Sequence, residues 1–202
     1  ARTKISPDVI QLVPSDDRAT VQALLTARGK VDLVIPRGSA SLIRMVVDEA
    51  TVPTIETGAG VCHVYVDASA DLAKALPIVM NSKIHRPSVC NAAETLLVHS
   101  KVVEEFMPVA LKALKNAGVI IHCDEKTLAL AKKNNVEATL ATDENWCTEY
   151  GVLEMNVGIV SSVDEAIDHI AKFGTKHTEA IVTQSREVSD RFIAHSDCAA
   201  IM

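Results

Sequence analysis

Apolar residues along this chain follow two alternating rhythms. Short, β-branched runs such as VDLVIP (31–36), TLLVH (95–99), VIIHC (119–123) and EMNVGIV (154–160) have the length of buried strands. Between them lie stretches with apolar positions three and four residues apart, including SKVVEEFMPVALKALKNAG and SSVDEAIDHIAKFG, the mark of amphipathic helices. Strands separated by helices of this length pair in parallel through helical crossovers. The predicted class is α/β.

The punctuation fits that pattern. VIQLVP (9–14) opens the series and ends at Pro14; a helix follows, N-capped by Ser15 and closed by Gly29. RGSASLIRMVVDEA reads as a turn running into a second helix, with strands predicted at VPTIET (52–57) and HVYVD (63–67). SADLAKALPIVMNSK has helical spacing with a kink expected at Pro77, and Asp124 caps the helix in DEKTLALAKKNN. Strand EAIVT, helix SREVSDRFIAH and strand CAAIM complete the run. The chain stops at Met202 inside an apolar segment, and both ends read as cut, which predicts a fragment of a longer protein.

Composition narrows the class of function. The 202 residues make one large domain or two small ones, and 48% are apolar. A net charge of -6 and few aromatic side chains give no footprint for nucleic acid. No apolar run approaches the ~20 residues that span a bilayer. Cys62, Cys90, Cys123, Cys147 and Cys198 are odd in number and scattered, which predicts reduced thiols in a cytoplasmic setting. Without a CxxC pair, no metal site is predicted.

Three stretches can carry chemistry. Arg37-Gly38-Ser39, between a strand and a helix, sets backbone N–H groups at a strand's carboxyl edge, where anions bind; on the residues alone an ordinary βα turn explains it better. In ETGAG, Gly58 and Gly60 permit close backbone approach, and Glu56 is either a general base or a solvated turn acid. In KIHRPSVCNAAE, Pro87 ends a helix and CNAAE is expected to form the first turn of another. A thiol there would feel the positive helix end, with Lys83, His85 and Arg86 adding charge. The residues alone leave Cys90 as a nucleophile or as a small buried side chain. The other four cysteines read as packing residues. His63 and His122 read as satisfied strand-end histidines, and the loop holding His177 as a polar connection.

Taken in order, VDLVIPRGSASLIR, TVPTIETGAGVCHVYVD, RPSVCNAAETLLVH, TEYG, SVDEAIDHIAKFGTKHTEAIVT and DCAAIM resemble the gamma-glutamyl phosphate reductase family of the aldehyde dehydrogenase superfamily. The resemblance covers nearly everything after residue 30. It implies a three-layer αβα sandwich with a mostly parallel sheet. Residues 1–75 would be the latter part of a Rossmann-like NADP-binding domain, and residues 76–202 the catalytic domain.

The implied activity is NADPH-dependent reduction of L-glutamate 5-phosphate to L-glutamate 5-semialdehyde and phosphate, through a cysteine thioester, in proline biosynthesis. Cys90 would be the nucleophile; the family's usual amide donor belongs to another segment, and the Asn91 side chain, next to Cys90, is the oxyanion donor these residues themselves offer. Glu56 matches a glutamate that serves as a base in hydrolytic members. Arg37, Gly38, Ser39, Gly58 and Glu149 would meet the cofactor, although EYGVL replaces the usual ExFGP around Glu149. His85 and Arg86 would steer the anionic substrate. A homo-oligomer and glutamate 5-kinase are the implied partners, and the chain alone is expected to show little turnover. Rival readings are an aldehyde-oxidising NAD(P) dehydrogenase, a non-catalytic scaffold domain and a thiol hydrolase.

Overall fold

The structure is a computed structural model that describes residues 6–14, 17–38, 40–56 and 58–202. The chain divides into two compact units, residues 1–57 and 58–202. The division therefore falls ahead of HVYVD instead of near residue 75. The physical reason is that this strand is hydrogen-bonded on both sides within the sheet of the second unit.

In the first unit, helix α1 (Arg18–Leu25) is capped by the Asp17 side chain, which accepts from Ala19 N. The expected cap, Ser15, lies outside the described residues. Helix α2 spans Ala40–Glu49. Two expected strands are not formed as ladders. Segments 31–36 and 52–57 meet through one parallel bridge, Val34 with Thr54. Segment 9–14 forms no strand; a short 3-10 turn, Pro7–Val9, stands there. Among the described residues no further strand flanks this pair, too few cross-strand contacts are gained for it to extend, and Leu33, Ile35 and Ile55 are accordingly exposed.

The second unit has a full sheet. Its strands are β1 (Cys62–Val66), β2 (Ala93–His99), β3 (Ile120–Cys123), β4 (Thr139–Leu140), β5 (Glu154–Val160), β6 (Thr178–Val182) and β7 (Ala200–Ile201). They pair in parallel in the order β4-β3-β5-β2-β1-β6-β7. The crossovers are α3 (Leu72–Ile84), α4 (Val103–Asn116), α5 (Glu125–Lys133), the short α6 (Asp143–Trp146), α7 (Val163–Phe173) and α8 (Arg186–His195). Helix α3 runs on through Pro77.

Strand periodicity separates the two faces. Val64, Val66, Leu96, Val98, Met155 and Val157 join Val79, Phe106, Met107 and Leu111 in the larger core, under α3, α4 and α5. Tyr65, Leu97 and Val160 face the other way, onto Ala166, Ile170 and Phe192 of α7 and α8. This is a three-layer α/β arrangement. Among the described residues, no helix is long and apolar enough to cross a membrane.

Candidate active site

The site lies at the amino ends of β1, β2 and β6, around the connection from α3 to β2. Helix α3 ends at Ile84 with His85 as its C-cap. Pro87 cannot continue a helix, and the chain turns instead, with Val89 N bonding Arg86 O and Ala92 N bonding Val89 O. Cys90 and Asn91 sit in this turn, and β2 begins at Ala93. The expected helical turn over CNAAE is therefore absent. The β-branched and apolar run that follows is taken into the centre of the sheet, so the thiol has no helix N-terminus beneath it.

A close backbone approach replaces that helix. A Cβ on Gly60 would lie 1.7 Å from Cys90 O, so only glycine lets the segment before β1 reach the Cys90 carbonyl. Cys62 Sγ donates to the same oxygen at 3.3 Å. Cys62 is buried, and burial, followed by the charge of Glu179, pushes its thiol up to about 12. On its far side stands His177, with Nδ1 3.8 Å from Cys62 Sγ and 2.8 Å from Thr178 Oγ1.

A cavity of about 610 Å³ opens beside the turn. Asn81, Ser82, His85, Arg86, Asn91 and Thr178 give it polar groups, while Val64, Pro77, Ile78 and Ala180 give it apolar wall. Cys90 stands between two lining residues, Val89 and Asn91, and is itself exposed. Cys62 lines the cavity; Cys90 stands beside it, and exposure to solvent next to a ligand-sized cavity is what a nucleophile there needs.

Beneath the turn lies a buried ion pair. Lys83 Nζ meets Glu94 Oε2 at 2.5 Å with both side chains essentially inaccessible. Burial pushes the Glu94 carboxyl up, against the opposing hydrogen bond and charge of Lys83. Glu94 Oε1 also accepts from Gly151 N at 3.2 Å. The pair thus closes the base of the α3–β2 connection and ties it to the segment carrying Glu149, which is exposed. Lys83 was expected to add free positive charge near the thiol. Its ammonium is instead committed to Glu94.

The remaining candidates fall into two groups. Gly58, in the second unit, is exposed at the start of the segment leading to Gly60. Glu56, Arg37 and Gly38 belong to the first unit and are exposed there. Gly38 has φ +153°, and α2 begins two residues later. Ser39 lies outside the described residues. An exposed guanidinium ahead of a ten-residue helix is the donor set a pyrophosphate requires, and the exposed Glu149 carboxylate suits ribose hydroxyls. Each of these groups, within its own unit, has the chemistry of one part of a dinucleotide site.

The histidines read as satisfied do have partners. His63 Nδ1 lies 3.0 Å from Glu179 Oε2, and His122 Nε2 2.6 Å from Glu154 Oε1. Among the described residues, no group of three or more His, Cys, Asp or Glu is placed to hold a metal ion. Sequence reading missed the Lys83–Glu94 pair and the Cys62–His177 pair. The first had a usable signal: a lysine one α3–β2 connection away from a glutamate inside an apolar strand needs a buried partner.

The aldehyde dehydrogenase family model matches residues 1–151. The gamma-glutamyl phosphate reductase of Kineococcus radiotolerans is 53% identical over 194 residues, 96% of this chain and 45% of that protein. The one from Thermobifida fusca is 50% identical over 202 residues, all of this chain and 47% of its own length. The chain thus spans about half the length of these curated relatives. The crystal structure of gamma-glutamyl phosphate reductase from Thermotoga maritima superposes with a TM-score of 0.86 at 43% identity, covering 94% of this chain and 45% of that one. A more distant fold neighbour is glyceraldehyde-3-phosphate dehydrogenase from Methanocaldococcus jannaschii, solved with NADP. It has a TM-score of 0.68 at 14% identity and covers 90% of this chain and 47% of its own. The three-layer parallel fold, the match over three quarters of the sequence and the relatives at half identity converge, and the chain belongs to the aldehyde dehydrogenase family.

Proposed function

We propose that this chain carries the nucleophile-bearing part of a gamma-glutamyl phosphate reductase, with Cys90 attacking the acyl phosphate of L-glutamate 5-phosphate. The observation that carries this reading is the exposed Cys90 thiol, set between Val89 and Asn91, which line a cavity with His85 and Arg86. Two relatives of about half identity bear that name.

In this reading the Cys90 thiolate forms a C–S bond to the acyl carbon and inorganic phosphate leaves. A thioester on Cys90 remains. His85 and Arg86, on the cavity wall, draw the anionic substrate toward the thiol. The tetrahedral oxyanion is met by the Cys90 backbone N–H and the Asn91 side-chain amide. The Gly60 contact holds the Cys90 carbonyl, and so the turn, in one position. A nicotinamide cofactor, NADPH in this reading, would supply hydride to the thioester carbonyl when bound. Arg37, Gly38 and Ser39 would hold its pyrophosphate, with Gly58 allowing close approach and Glu149 binding a ribose. Glu56 would move a proton only in a hydrolytic direction, which this reduction does not use.

A cytoplasmic, proline-biosynthetic setting follows from the same reading, as do a homo-oligomeric state and glutamate 5-kinase as supplier of the acyl phosphate. A mass-spectrometric test needs only the first half-reaction. Incubation with acetyl phosphate should place one acyl group on Cys90, and Cys90→Ser should abolish it. Acylation spread evenly over the five cysteines would overturn the proposal.

A further inference from the structure

We infer that Cys62 is the resolving partner of Cys90: once a hydroperoxide has oxidised Cys90, the Cys62 thiol captures the product as a Cys62–Cys90 disulfide. The inference rests on the reading of Cys90 as the reactive thiol, and it adds a redox modification site of two residues.

Three observations carry it. Cys62 Sγ sits 3.3 Å from the Cys90 carbonyl oxygen. Standard C=O and Cα–C lengths then put it no further than about 6 Å from Cys90 Cα. Cys90 occupies a turn, outside the sheet ladder, so its side chain can rotate without breaking strand hydrogen bonds. The Gly60 contact keeps the two segments together, since its missing Cβ is what admits the Cys90 carbonyl.

The second observation is the contrast in access. Cys90 is exposed, whereas Cys62 is 2% exposed. A peroxide in bulk solution therefore meets Cys90 first, while Cys62 is reached only from the cavity whose wall it joins. Burial, and then the charge of Glu179, also keep Cys62 protonated. The third is a place for the proton: His177 Nδ1, 3.8 Å from Cys62 Sγ.

The chemistry balances in two steps. The Cys90 thiolate takes the terminal oxygen of the hydroperoxide: an S–O bond forms, the O–O bond breaks, sulfur loses two electrons and the peroxide leaves as alkoxide or hydroxide. The Cys62 sulfur then forms the S–S bond to Cys90 as the S–O bond breaks. Its proton passes through His177 to the departing hydroxide, which leaves as water. The disulfide spares Cys90 from the irreversible sulfinic state and is opened again by a dithiol.

The test uses this chain, iodoacetamide, hydrogen peroxide and peptide mapping. In the untreated protein Cys90 alkylates faster than the other cysteines. After peroxide, a Cys62–Cys90 cross-linked peptide is expected, lighter by two hydrogens than its parts and lost on dithiothreitol treatment with return of alkylatable Cys90. In Cys62→Ser the cross-link disappears and Cys90 accumulates as sulfinic acid. A rapidly alkylating Cys90 that ends as sulfinic acid in the unsubstituted chain, with Cys62 free, overturns the inference alone. So does a cross-link to Cys123, Cys147 or Cys198. A Cys90 that neither alkylates nor oxidises overturns both this inference and the proposed function.

Discussion

The two units hold similar apolar runs and treat them differently. In the second, every residue of β1 and β2 is buried, and the seven strands share hydrogen bonds across a parallel sheet. In the first, the equally apolar VDLVIP and VPTIET touch at one bridge, and Ile35 and Ile55 remain more than half exposed. An apolar run becomes a buried central strand when neighbours on both sides satisfy its backbone and helices cover its faces; the edge strands β4 and β7, with one neighbour each, are two residues long. The polar side chains show the same divide. The second unit buries Lys83, Glu94, His63 and Glu179, each with a partner at hand. The described ionisable groups of the first unit lie at its surface.

That contrast can be broken most forcefully at Lys83. Lys83→Met leaves Glu94 as an uncompensated buried carboxylate, and unfolding free energy should fall by about 3–5 kcal/mol in a urea titration. The paired variant Lys83→Met with Glu94→Gln should recover most of that loss. A single variant as stable as the parent would show that the pair is not closed in solution.

Acid gives the next effect. Burial, then the charges of His63 and Lys172, push His169 down to about 3. A histidine held neutral when folded binds its proton more readily when unfolded. Stability should therefore fall as pH drops through the ordinary value near 6.5 toward about 3, by roughly 1.4 kcal/mol per pH unit inside that window. The raised Glu94 carboxyl acts with the opposite sign over the acid range. Comparing the pH dependence of His169→Phe with that of the parent cancels it. The variant should lose its steep acid limb between about pH 6 and 4, and an unchanged limb would reassign the proton.

Gly60→Ala probes the contact between the segment before β1 and the Cys90 turn. The added methyl must displace the Cys90 carbonyl, at about 1–3 kcal/mol of stability, and should slow iodoacetamide capture of Cys90. The smallest effect sharpens the comparison from the other side. Leu33→Ser, in the loosely paired first unit, should stay within about 0.5 kcal/mol of the parent in the same titration.

Much of the fold was legible because most elements of the second unit obey local rules. The predicted strand EMNVGIV is β5 residue for residue, and the helix from Asp124 starts on that cap. Ser162 caps α7, with Glu165 N donating to its side chain. The misses lie where a long-range partner decides. CNAAE has helical composition, yet it stands one step before a strand that the sheet centre claims. The resemblance assigns HVYVD to the first domain, residues 1–75. Its hydrogen bonds to β2 and β6 place it with residues 93–99 and 178–182 instead.

The sequence by itself determined the alternation of strand and helix, the class of the fold and the family, because periodicity, caps and motif order are local properties of the chain. It also singled out Cys90, His85, Arg86 and Asn91, which fall on one short stretch. Only the tertiary structure decided that Lys83 is spent on Glu94, that Gly60 touches the Cys90 carbonyl, and that Cys62 and His177 stand behind it. The Gly60 and His177 contacts join residues far apart in the chain and the Lys83–Glu94 pair spans one helix-to-strand connection; all are fixed by how the parallel strands align their amino ends.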